Sequence, residues 1–167
     1  MIIGKKELDE SLTKLCILDM HEAVSKSIKL VQAEAKNLCP VHEGELRDSI
    51  YTEVERRDDY VEGVCYTNKT YAPHVEFGTG PVGQANHKGV SPDSLGAYVQ
   101  KGWMIPGDAM SRDYAESKGL GVVEDKDGNV KGFLTNGQPA RPFLYPALKN
   151  QEEEIEKIFA KAVEKQI

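Results

Sequence analysis

The chain has 167 residues, 40% hydrophobic and 29% charged, with a net charge of −6. That length suits one domain with a real core and is short for two, and the balance is that of a globular protein. A pI near 5.3 argues against a chain built to grip nucleic acid, which needs clustered Lys and Arg; an acidic wall instead lets DNA slide past. No apolar run approaches the ~20 residues of a membrane span. The opening MIIGKKELDE has no apolar core ahead of a cleavage site, so no signal peptide is expected. Cys16, Cys39 and Cys65 form neither a C-x-x-C pair nor an even framework, which fits a reducing cytoplasm.

Leu8, Leu12 and Leu15 recur at helical spacing and predict a short first helix. The stripe then changes phase. Ile17, Met20, Val24, Ile28, Val31, Ala35 and Leu38 form a second stripe and predict a helix over 19–38, with Asp19 as N-cap and Glu22 at N3. Pro40 stops it. The turn VHEGEL follows, with Gly44 at positive φ and Arg47 and Asp48 starting a strand. Alternating runs over 49–54 and 60–66 predict a hairpin with its tip near Asp58.

Residues 72–77 read as a short helix, with a strand as the alternative, closed by Gly78 in the left-handed conformation. Tyr71, Val75 and Phe77 are then expected in the core. Glu76 is expected to face outward, either solvated or paired with Arg47 or Arg141. Residues 81–136 hold most of the glycines and few periodic apolar runs, so a long loop excursion with one or two short strands is expected. Within it, DKDGN at 125–129 is a hairpin turn between 121–123 and 130–134.

An extended stretch through Arg141, Pro142, Phe143, Leu144 and Tyr145 leads to a last helix near Pro146. Leu148, Ile155, Ile158, Phe159, Ala162 and Val163 make its apolar stripe, with glutamates early and lysines late, as the helix dipole favours. The predicted fold is α+β, an antiparallel sheet packed against N-terminal and C-terminal helices with a long loop and hairpin excursion. The expected organisation is one domain, 1–167: helices 5–38, sheet core 46–80, excursion 81–136, and a closing strand and helix over 137–167. Trp103 and Met104, glycine-flanked on the excursion, are interface candidates with Asp58 and Tyr145.

Residues 78–83, GTGPVG, fit G-x-G-x-x-G, but no buried strand leads in and no helical stripe follows. His74-Val75-Glu76 resembles half of a zinc deaminase motif and lacks its P-C-x-x-C partner. Cys39 and His42 would need Cys65, His74 or His87 to converge before zinc is held. There is no G-x-S-x-G elbow. No catalytic residue, metal or cofactor is expected.

Three segments in order carry a resemblance: CPVHEGELRDSI at 39–50, YAPHVEFGTG at 71–80, and GQPARPFLYPAL at 137–148. Together they resemble the neck family of long-tailed bacteriophages and prophages, the small head–tail joining, tail-completion or minor tail proteins. The residues that carry it are Gly44, Leu46, Arg47, Tyr71, Glu76, Phe77, Gly78, Arg141, Pro142, Phe143 and Pro146. His42-Glu43 and His74 depart from the family pattern, and the 81–136 excursion is longer than in compact members. The resemblance implies a non-enzymatic virion protein, assembled in the bacterial host cytoplasm. It implies a self-assembled ring, a hexamer, at the head-proximal end of the tail. Such a ring touches tail-tube and head-connector proteins and lets DNA pass unbound, with no membrane contact. Two other classes fit the residues less well: a monomeric adaptor of a mobile element, and a small hydrolase or metal enzyme.

Overall fold

The computed structural model describes residues 20–58, 60–94, 96–99 and 101–166. The predicted first helix at Leu8, Leu12 and Leu15 and the Asp19 cap lie outside them. The chain divides into two units, one of Met1–Asn68 with Pro146–Ile167 and the other of Lys69–Tyr145. Helices and antiparallel sheets together make the fold α+β.

In the first unit, helix α1 spans His21–Leu38 and buries Ala23, Ser27, Val31 and Ala35. Its N-cap is Met20, without a side-chain cap bond. Lys26 donates to Glu22 at 2.6 Å, one turn on. The helix ends as Cys39 turns extended ahead of Pro40. Gly44 takes φ 87°, as expected, but Arg47 and Asp48 do not start the strand. They complete a single helical turn, α2 (Glu45–Asp48), which buries Leu46. The Ser49 hydroxyl closes that turn on the Leu46 carbonyl at 2.8 Å.

Strands β1 (Ile50–Arg56) and β2 (Val61–Thr67) then pair antiparallel, from Ile50↔Thr67 to Arg56↔Val61. Successive side chains alternate in face. Ile50, Thr52, Val54 and Arg56 turn one way with Val61, Gly63, Cys65 and Thr67, towards α1. Gly63 is fixed by that approach, since a Cβ there would sit 2.8 Å from Val24 Cγ1. Gln32 ties the layers by donating to the Ile50 carbonyl at 2.7 Å.

The predicted single last helix is two. Helix α6 (Leu144–Asn150) and helix α7 (Glu152–Glu164) are separated at Gln151. The break resets the helical phase. Leu148, expected in the stripe, is therefore 49% exposed, and Ala147 is the buried residue of α6. Helix α7 packs on α1.

The second unit holds α3 (Ala72–Phe77), α4 (Gly80–Ala85), β3 (Trp103–Pro106), α5 (Arg112–Ser117), β4 (Gly121–Glu124) and β5 (Val130–Thr135). The strands form one antiparallel sheet in the order β3-β5-β4. The 81–136 segment carries three strands, where one or two were expected, and the helix α5. Its sheet is centred on Phe133, which with Phe143 is fully buried. The β4–β5 turn forms where expected: Asp125 Oδ1 accepts the N–H groups of Asp127 and Asn129, both at 2.9 Å.

Candidate assembly surfaces

The second and third sequence segments meet in the second unit at one carboxylate. Glu76 does not face outward. It is 5% exposed, and both its oxygens are spent on backbone rather than on Arg47 or Arg141. Oε2 accepts the N–H of Phe143 at 2.7 Å and of Leu144 at 3.1 Å; Oε1 accepts that of Tyr145 at 3.1 Å. A helix start leaves its first N–H groups without intrahelical partners. In α6 those donors belong to Phe143, Leu144 and Tyr145, while the next residue, Pro146, has no N–H. One side chain and one proline therefore satisfy the whole helix start. The negative charge also meets the positive end of the helix dipole.

Arg141 contributes through its backbone, its N–H bonding the Val75 carbonyl at 2.8 Å. The Arg47 guanidinium lies 3.6 Å from Asp48. The aromatic expectations for this segment divide: Tyr71 is 41% exposed, whereas Val75 and Phe77 are half-buried.

The glycines of GTGPVG serve a backbone crossing. Gly78 has the expected positive φ, 69°, but its ψ of 175° carries the chain on extended rather than into a left-handed cap. That region is open essentially to glycine alone. A Cβ on Gly78 would lie 2.6 Å from Ala140 N and 2.9 Å from Gly83 Cα. At the crossing, Thr79 and Gln138 exchange backbone bonds of 2.9 and 3.1 Å. Helix α4 does open at Gly80, contrary to the sequence expectation. What precedes it is helix α3, not a strand, so the arrangement of a dinucleotide loop is not reproduced.

Other chemistry-bearing side chains are occupied locally. The His74 ring meets Tyr98 edge-on at 4.7 Å. Cys39 is buried, and burial pushes the half-buried Cys65 thiol up against the pull of Lys36. Among the described residues, no three His, Cys, Asp or Glu side chains converge as metal ligands would.

Two sheet faces are left open. On the β1–β2 ribbon, the face away from α1 carries Tyr51 and Tyr66, directly opposed with rings 6.1 Å apart, and Val64. These are 46%, 40% and 43% exposed, and Glu53, Glu55 and Glu62 share the face. Tyr60 and Asp58 are exposed near the tip. On the second unit's sheet, Met104 and Leu134 are paired neighbours, each 54% exposed. Met104 lies over Gly132, whose Cβ would sit 2.8 Å from Met104 Cγ. Trp103, expected on a loop, is in β3 opposite Thr135 and 39% exposed. Tyr145 is half-buried at the start of α6.

Sequence reasoning placed Trp103 and Met104 at the surface but missed Leu134, Tyr51 and Tyr66. The outward members of the alternating strands carried that signal.

Residues 5–78 match the model of the HK97-gp10-like family, described as "Bacteriophage HK97-gp10, putative tail-component". The match takes in the first segment and most of the second, including Glu76 and Gly78. Comparison with curated proteins and with solved structures returned no match. Residues 5–78 are thus similar to the HK97-gp10-like family of bacteriophage tail components.

Proposed function

We propose that the chain is a structural head–tail joining or tail-completion subunit. It closes as a hexameric ring at the head-proximal end of the tail and lets DNA pass through the lumen. Its neighbours are tail-tube and head-connector proteins, and it is assembled into the virion in the host cytoplasm. It catalyses no reaction.

The observation that carries this reading is the match to a tail component family combined with two open sheet faces. A lone copy leaves Tyr51, Val64, Tyr66, Met104 and Leu134 in water. Contiguous apolar surface of this kind marks contact with another protein. Rings are closed by heterologous contacts, in which one patch meets a different patch on the next copy. The acidic balance suits a lumen that must not hold phosphate.

The test is removal of the gene from the phage or prophage that encodes the chain, followed by electron microscopy of induced particles. Unjoined heads and tails are expected. Intact, infectious particles without the chain would overturn the reading.

A further inference from the structure

The first unit carries two patches of opposite charge on opposite sides of the β1–β2 ribbon. On the α1 side, a groove of about 710 Å³ runs between the start of α1, the end of β1 and the end of α7. Ile158 and Ala162 line it with the cations Lys26, Arg56, Lys161 and Lys165. Glu22 also lines the groove and pairs with Lys26 at 2.6 Å; that hydrogen bond holds its carboxyl below the usual range, and the charge of Lys165 adds to the pull. Arg56 reaches the groove because it is an α1-facing member of β1. On the other side, the same alternation turns Glu53, Glu55 and Glu62 outward beside Tyr51, Val64 and Tyr66. Glu55 holds Arg57 at 2.5 Å, leaving Glu53 and Glu62 to set the sign of the face.

We infer that the tyrosine-and-glutamate face of one copy docks on the lysine-lined groove of a second copy. The contact rests on the ring reading above and names its interface. Each patch is a mixture of apolar surface and charge, and the signs match only between unlike patches. Self-pairing of either patch would oppose like charges, which excludes a two-fold dimer through one face. Because the two patches are different surfaces of one copy, each docking event leaves a free patch at both ends of the pair. Repeated addition is the consequence, and it ends when a ring closes.

The experiment is sedimentation of the full chain over graded concentrations, with two charge-reversed variants. One carries Lys161→Glu and Lys165→Glu; the other carries Glu53→Lys and Glu62→Lys. All four positions are solvent-exposed. The wild type is expected to associate, and each variant alone to associate at least about tenfold more weakly. An equimolar mixture of the two variants presents unlike patches again at every junction, so it is expected to regain assembly. That recovery also shows each variant to be folded.

Variants that assemble alone as well as the wild type would overturn the contact and leave the ring reading standing. A mixture that fails to recover would overturn it also. A wild type monomeric up to about 1 mM would overturn self-docking. The ring reading would then fall or stand on the particles made without the gene.

Discussion

Replacing Glu76 removes the acceptor of three N–H groups at the start of α6, and the structure sets the size of the effect. The carboxylate is 5% exposed and accepts three backbone N–H groups, at 2.7, 3.1 and 3.1 Å. A buried donor left unsatisfied costs about 1–3 kcal/mol. In Glu76→Ala all three are orphaned. Water entering the vacated space repairs part of the loss, so the low end of the sum applies, about 3 kcal/mol. Glu76→Gln separates charge from geometry. Its carbonyl can keep the Oε2 bonds to Phe143 and Leu144, but its NH₂ then faces the Tyr145 N–H, donor against donor. That variant should lose about 1.5 kcal/mol. Urea unfolding followed by the fluorescence of Trp103, the chain's single tryptophan, reads the second unit directly. Alanine worse than glutamine, with both worse than wild type, is the expected order. Both variants unfolding within about 0.5 kcal/mol of wild type would refute the capping argument.

Further outcomes follow from local geometry. Gly78→Ala should cost about 3 kcal/mol, combining positive-φ strain with a Cβ 2.6 Å from backbone, whereas Gly128→Ala, at φ 83° with open space around it, should cost about 1. Equal losses at the two sites would remove the crossing from the account. Cys65 should react with iodoacetamide at neutral pH more slowly than a small free thiol, because burial raises its pKa and keeps it protonated; peptide mapping of the labelled chain reads this. The β4–β5 turn should resist acid. The Asp125 carboxylate is held below its ordinary range, chiefly by the Asn129 N–H, then by the Asn129 side chain and the Asp127 and Gly128 N–H groups. A depressed folded-state pKa means the turn's contribution is complete above the ordinary aspartate value and is lost only as pH falls through the lowered one. The amide resonances of Asp127 and Asn129 should therefore persist through the ordinary aspartate range, and their loss above it would contradict the geometry.

What could be read from the sequence was what is encoded locally. The stripe of Val24, Ile28, Val31 and Ala35 marked α1, alternation marked β1 and β2, and DKDGN marked the β4–β5 turn. Glu76 was misread because its partners lie 67 to 69 residues away, and nothing around it announces a distant helix start. The clue was in the other segment, where Pro146 removes a donor and leaves the preceding N–H groups to be satisfied from outside. The third strand of the second sheet, β3, was missed for a related reason. WMIP is four residues long and becomes a strand only by pairing with Val130–Thr135, across the whole of α5 and β4. Arg47 and Asp48 were assigned to a strand because nothing in their own spacing marks a single helical turn. The buried Leu46 and the Ser49 hydroxyl on its carbonyl hold that turn.

The measurement that bears most directly on the account is solution mass by light scattering across a wide concentration range, alone and with tail-tube protein. A species near the mass of a hexamer of the 18.5 kDa chain, formed alone or on the tube, is the predicted result. A monomer at every concentration that also ignores the tube would contradict it.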